Sequence, residues 1–522
     1  MSRSRIILLT ALSLSIGWGI RGNFGHEIGA MIPGALAAIA AVVTIGRDDW
    51  MRRIGYFAFF GAIGWSFGGS MSYGQVLGYT HSGHSLSILY GFASLFLIGF
   101  LWGAVGGAGT ALPAVLDRRR LTEFFLPLTV IFIAWWMQDF FEEWLVTVNS
   151  DYRQQSPLYW YDTDWLGVLV AIVVVTLLAL IRRRFDDATS LILHLAVGWW
   201  AGFVILVLVF GLRMTPPRGD NWAGCLGMVA GMLIFFERRG LRSLTYAALV
   251  SGFVGGFGFA FANLIKLIGV ATGWQTNWHS VMEQSYGAIN GIGIALVLIQ
   301  LARQEKPVTD ENEVSAWTDV YAISFVLLGI TYLNFRRNPI EWVKAEAVPQ
   351  TILGISAGNW FALAYLALTV MFVAVILRHR KTALAFIPVS WRGKAQLFYL
   401  VLLWWVVVGN FERSVVAFAP ARLITEGVIF LNAVICTALL LFDRGPEPIS
   451  GPAAVTTPAG SWSMRRTIAA GFAGMVICVV LSWAVVRAIF GDQVAGAIKR
   501  QIRFGPEATA TTDRPAAGQP HP

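Results

Sequence analysis

The chain has 522 residues, 56% of them hydrophobic and only 13% charged, whereas about 25% of residues in soluble domains are charged. That balance excludes an ordinary soluble domain. The net charge of +9 is no nucleic-acid signal, because the cations lie in short loops between apolar runs.

Apolar runs long enough to cross a bilayer, about 18 residues or more, recur from one end to the other. They predict spans at 6–22, 28–46, 54–73, 88–116, 124–141, 165–181, 188–212, 222–236, 244–269, 286–302, 316–334, 352–377, 396–411, 423–442 and 467–490. The fold expected is all-α, a polytopic membrane bundle of 14 or 15 helices over residues 1–490. Residues 491–522, rich in Ala, Thr and Pro, form a polar tail expected to be disordered. Met1 to Arg5 has the charge pattern of a signal peptide but no small-x-small cleavage site follows, so a retained first helix is expected.

Cations favour cytoplasmic loops, and here they alternate. Arg3 and Arg5, Arg47/Arg52/Arg53, Arg118–Arg120, Arg182–Arg184, Arg238/Arg239/Arg242, Arg303/Lys306, Arg378–Lys394 and Arg444/Arg465/Arg466 all fall on one side. The N-terminus is therefore placed in the cytoplasm, and fifteen spans would put the C-terminus outside. If 222–236 or 396–411 does not cross, the later part inverts. The inner (plasma) membrane is the expected location.

Polar residues gather at the opposite, external helix ends. The first and second spans are joined by Arg21-Gly22-Asn23-Phe24-Gly25-His26-Glu27, with almost no spare loop. The glycines suit a tight turn, and Arg21, His26 and Glu27 must sit partly within the protein. The plainer alternative is an Arg–Glu pair that only holds the hairpin. After the third span come Ser70 to Gln75 and then His81-x-x-His84. The latter lacks the helical HExxH pattern, and no metal site is expected. The long run 88–116, with Gly103, Gly106, Gly107 and Gly109, predicts a tilted or broken helix.

Further along, Gln138-Asp139-x-x-Glu142-Glu143 places carboxylates at i, i+3 and i+4, a spacing suited to proton exchange or general acid–base work. Asp139 could equally be part of a solvated helix end. Trp274 to Asn290 holds His279 and Glu283 four residues apart, which share a helix face if the tenth helix starts early. Gln284 adjoins them, and Asn290 carries that face into the membrane. Asn334/Arg336/Arg337 and Asn410/Glu412/Arg413/Arg422/Glu426 mark later external ends.

Two faint repeats are visible. Gly17-Trp18 with Gly25-His26 resembles Gly64-Trp65 with Gly74-Gln75, and Arg21-Gly22 resembles Arg218-Gly219 six spans later. The second implies parallel halves, 1–186 and 187–381, with additional helices at 382–490. Parallel six-span halves are the arrangement of the major facilitator superfamily. The loop Glu237-Arg238-Arg239-Gly240-Leu241-Arg242 resembles that family's acidic-Arg-x-Gly-Arg-Arg loop, while the corresponding Asp48–Arg53 loop lacks the glycine. The resemblance covers a dozen residues, and helices beyond twelve do not fit it.

No phosphate loop, dinucleotide fingerprint, GxSxG or CxxC set is present, so no cofactor is expected. The partners expected are the lipid bilayer and a small-molecule or lipid-linked substrate, with no nucleic acid. The first functional expectation is a secondary transporter of a polar or anionic organic solute, proton-coupled through Glu27, Glu283 or Asp139. Arg21, Asn23, His26, Glu27, Gln75, His279, Glu283, Gln284 and Asn290 would bind the substrate. The second is a membrane-embedded enzyme acting at the external face on a lipid-linked saccharide, with Glu27 or Glu283 as general base and Arg21 neutralising a phosphate leaving group.

Overall fold

The computed structural model describes residues 3–148, 160, 163–214, 219–306, 317–416, 420–442 and 462–491. Residues 492–522 of the expected disordered tail and Arg218 of the second repeat lie outside the described residues. The rest is nearly all-α. Among the described residues, eleven helices are long and apolar enough to cross a bilayer, and the chain is a multi-pass membrane protein.

In chain order the helices are α1 (Arg3–Arg21), α2 (Glu27–Ile45), α3 (Asp48–Arg52), α4 (Ile54–Phe67), α5 (Gly74–Thr80), α6 (Ser85–Val115), α7 (Arg118–Thr122), α8 (Phe125–Val148), α9 (Trp165–Ile181) and α10 (Asp187–Phe203). They continue with α11 (Asn221–Arg238), α12 (Arg242–Ala271), α13 (Trp278–Gln304), α14 (Trp317–Ser324), α15 (Thr331–Phe335), α16 (Asn338–Lys344), α17 (Ala357–Lys381), α18 (Trp391–Val416), α19 (Pro420–Leu441) and α20 (Met464–Phe490). Eleven of the fifteen predicted spans coincide with the eleven long apolar helices, 316–334 being divided between α14 and α15, whereas 6–22, 54–73, 165–181 and 222–236 fall on α1, α4, α9 and α11, which are shorter or less apolar. Single π-helical stretches extend α10 (Val204–Val209) and join α14 to α15 (Phe325–Ile330). A two-stranded hairpin, β1 (Thr351–Ile352) and β2 (Ile355–Ser356), precedes α17.

The glycine-rich run 88–116 is not broken: α6 is one continuous helix of 31 residues. Its glycines serve as packing notches. A Cβ on Gly103 would lie 2.3 Å from the Ser251 carbonyl oxygen, and one on Gly109 would lie 2.6 Å from the Phe60 carbonyl oxygen. Without a hydrophobic drive between helices in lipid, such small-residue seams let backbones approach and gain dispersion contact.

The chain divides into two compact units. The first comprises 1–70, 99–125 and 236–478. At its centre α1 packs on α13, with Gly287 and Gly291 against the α1 backbone at Leu14, Ser15 and Ala11. α2 is 94% buried over its apolar window, so it is shielded from lipid by protein on all sides. At the end of this unit carrying the basic loops, arginines bind helix C-termini. Arg47 donates to the carbonyl oxygens of Ala302 (3.1 Å) and Glu305 (2.8 Å) and pairs with Asp49. Arg53, fully buried, donates to Leu116 O at 2.9 Å. Arg118 pairs with Asp319 and donates to Tyr56 Oη. Cations at helix C-termini satisfy orphan carbonyls and oppose the helix dipole.

The second unit comprises 71–98, 126–235 and 479–522. In it α10 and α11 meet along Gly198, Gly202, Gly227 and Gly231. Asp220, fully buried, pairs with Arg213 and accepts from Met214 N and Trp222 Nε1.

Candidate functional site

The site lies within the first unit, where the turn after α1 meets the start of α13. α1 ends because Gly22 and Gly25 follow Arg21. Asn23 N and Phe24 N bond back to Ile20 O and Arg21 O, and Gly25 takes φ +105°, a conformation other residues rarely adopt. α2 then starts at Glu27, whose charge faces the positive helix N-terminus. Gly29 lets α2 pass the α1 terminus, since a Cβ there would be 2.8 Å from Arg21 O.

Arg21 is 1% exposed. Its Nη1 donates to Glu283 Oε1 at 3.1 Å, and its Nη2 lies 2.7 Å from His26 Nδ1. The guanidinium stands over the rings of Trp18 (5.0 Å) and Trp102 (4.8 Å). Trp18 makes edge contacts with Trp65, Trp102 and Tyr286. A cation desolvated on aromatic faces gains about 2 kcal/mol from the ring quadrupoles. Glu283 belongs to the second turn of α13 and is reached also by His279 Nε2 at 3.7 Å. Gly22 adjoins the same carboxylate, since a Cβ there would lie 2.8 Å from Glu283 Oε2. Lys266 of α12 is within electrostatic reach of both Glu283 and His279.

α13 starts at Trp278, eight residues before the predicted span, with Asn277 capping Ser280 N. His279 and Glu283 therefore share a helix face. Two turns deeper, Asn290 is fully buried and, among the described residues, neither amide atom has a hydrogen-bond partner. The indole N–H groups of Trp18 and Trp65 are likewise unmatched. Gln284 donates to Ser280 Oγ and Thr425 O, both at 3.1 Å, tying α13 to α19. Asn23 Nδ2 donates to Asn410 Oδ1 at 2.7 Å.

The structure thus brings Arg21, Asn23, His26, His279, Glu283, Gln284 and Asn290 into one unit around α1 and α13. The in-hairpin alternative, Arg21 paired with Glu27, does not occur: the carboxylate that meets Arg21 is Glu283, and Glu27 is exposed at the start of α2. Asp139 and Gln75 belong to the second unit, Asp139 exposed on α8 and Gln75 half-buried on α5. Sequence reading missed the aromatic floor of Trp18, Trp65, Trp102 and Tyr286. The faint Gly17-Trp18/Gly64-Trp65 likeness carried a trace of it, since those two tryptophans meet at 6.1 Å and a Cβ on Gly69 would lie 2.4 Å from His26 O.

His26 has a defined protonation state. Arginine only donates, so Nδ1 accepts and the neutral ring carries its proton on Nε2. One edge of the ring reaches the surface, yet dehydration of the rest, and then the adjacent Arg21 charge, push its pKa down to about 4. A value below the unfolded 6.5 means that protonation opposes the fold. This contribution is complete above about pH 6.5 and is lost as pH falls toward 4. Nitrogen-15 NMR of labelled histidine should show His26 neutral at pH 5.5, and Arg21→Gln should raise its titration midpoint.

No protein-family model, curated protein or solved structure matches the chain.

Proposed function

We propose that this chain is a secondary transporter for a small anionic organic solute, with its binding site at the external ends of α1 and α13. The buried Arg21–Glu283 pair carries this reading. A guanidinium presents a fork that matches carboxylate and phosphate oxygens, and here it is held by an internal carboxylate that an incoming anion can displace. Below the pair, Asn290 and the Trp18 and Trp65 indoles offer unmatched polar atoms, which a solute or water descending between the helices would satisfy. The concentration of cations at the opposite helix ends supports an external position for the site and a cytoplasmic N-terminus.

The second reading is a membrane-embedded enzyme acting on a lipid-linked substrate, and the His279–Glu283 contact at the site mouth favours it. In that reading Glu283 must first be released from Arg21 at 3.1 Å before it can take a proton.

Reconstitution into proteoliposomes decides between them. We expect radiolabelled small carboxylates or phosphate esters to accumulate under an imposed pH gradient, and Asn290→Leu to reduce that uptake at least tenfold while the protein remains folded. Uptake unaffected by Asn290→Leu would remove the deep polar groups from the pathway. Turnover of a lipid-linked substrate without uptake would favour the enzyme.

A further inference from the structure

A second carboxyl is wired to the same turn. Asn410 of α18 is buried and donates its Nδ2 to Glu426 Oε2 at 2.6 Å, while its Oδ1 accepts from Asn23 Nδ2 at 2.7 Å. The result is an unbroken line of side-chain hydrogen bonds, Glu426–Asn410–Asn23, ending two residues from Arg21 and three from His26.

The direction of every bond in this line follows from the charge at one end. An ionised carboxylate only accepts, so Asn410 must turn its NH2 toward Glu426. Its carbonyl oxygen then faces Asn23, which must donate. A protonated Glu426 has an O–H to give. When that O–H is carried on Oε2, the oxygen that meets Asn410, Asn410 satisfies it by rotating its amide half a turn, so that Oδ1 accepts from Glu426 and Nδ2 donates toward Asn23. Asn23 must then rotate as well and present its carbonyl oxygen. One proton is taken up, no covalent bond besides the new O–H changes, and two amides reverse.

We infer that Glu426 is a proton-binding carboxyl whose ionisation state is transmitted through Asn410 to the Asn23 turn of the site. Its surroundings differ from those of Glu283. Arg21 at 3.1 Å and His279 at 3.7 Å both meet Glu283 Oε1. The charged group facing Glu426 is Arg422, one turn back on its own helix. From α18 it meets Asn410 and Ser414. α13 sends Gln284 toward this helix, but that side chain bonds Thr425 O. α1 presents Gly19 against Ile429. Glu426 is half-buried, whereas Asn410 is sealed. A neutral carboxylic acid is thus accommodated without stranding a paired charge. The inference holds whether the site moves a solute or transforms one, because proton binding is read directly.

Infrared difference spectroscopy of the full chain in lipid bilayers, stepped between about pH 4 and 9 to cover raised and ordinary carboxyl values, tests it. The expected result is a carboxylic-acid C=O band that appears on acidification, together with a side-chain amide change. Glu426→Gln should remove that band, and Glu426→Asp should retain it with a shifted midpoint. Asn410→Leu should keep the band but abolish the amide change. The Asp and Leu variants keep the test informative if Glu426→Gln folds poorly. A band that survives Glu426→Gln, or that disappears instead in Glu283→Gln, overturns the assignment. An amide change that persists in Asn410→Leu overturns the relay.

Discussion

Arg21→Gln and Glu283→Gln are each expected to abolish solute uptake and to lower the stability of the purified protein by about 3–5 kcal/mol, the range for stranding one partner of a buried ion pair. The side chains are 1% and 5% exposed, so neither remaining charge can be rehydrated in place. The double variant Arg21→Gln/Glu283→Gln should recover most of the stability, because no uncompensated charge is left, but none of the uptake. That split separates a structural pair from a binding pair. Recovery of uptake in the double variant would show that the pair only holds helices together. Arg21→Lys should not rescue either property. An ammonium cannot engage Glu283 and His26 in a planar fork while lying flat over Trp18 and Trp102. Thermal unfolding in detergent and uptake in proteoliposomes read the two effects.

Gly287→Ala and Gly291→Ala are expected to damage the fold by about 1–3 kcal/mol each, the usual cost of overpacking. A Cβ on Gly287 would stand 2.6 Å from Leu14 O, and one on Gly291 would stand 2.5 Å from Ala11 Cα. Both neighbours are backbone, so no rotamer change relieves the contact. α1 and α13 must separate, and separation draws Glu283 away from Arg21. Alanine is also a better helix former than glycine by about 1 kcal/mol, which works in the opposite direction. Gly427→Ala isolates that second effect, since nothing lies within 4 Å of its added Cβ. It should be neutral or mildly stabilising, and a comparable loss there would discredit the close-packing account.

The helices were legible because lipid demands long apolar runs, and that demand is written locally. The start of α13 was less so. Residues 278–285 look like a loop, with His, Glu, Gln and Ser in close succession, but they are helical because protein rather than lipid surrounds them. The hairpin at 351–356 lay inside a run read as membrane because Ile352, Leu353 and Ile355 are apolar, although Leu353 is 89% exposed. For the site, the residue types at the helix ends singled out Arg21, His26, His279 and Glu283 separately. Their meeting was not legible, because Arg21 and Glu283 are 262 positions apart and Glu27 is a nearer, equally plausible partner. Only the packing of Gly287 and Gly291 on α1 decides which carboxylate arrives. Asn410 and Glu426 were visible as a polar cluster, yet their tie to Asn23 is again a product of tertiary contact.

Cys225, Cys436 and Cys478 form no disulfide and are 1%, 0% and 5% exposed. A water-borne maleimide therefore finds nothing to modify on the folded chain. A single cysteine introduced at His279, or at any exposed helix end, would report alone, without prior removal of native thiols. The wild-type protein is its own blank for mapping, residue by residue, which helix ends meet the outside solution.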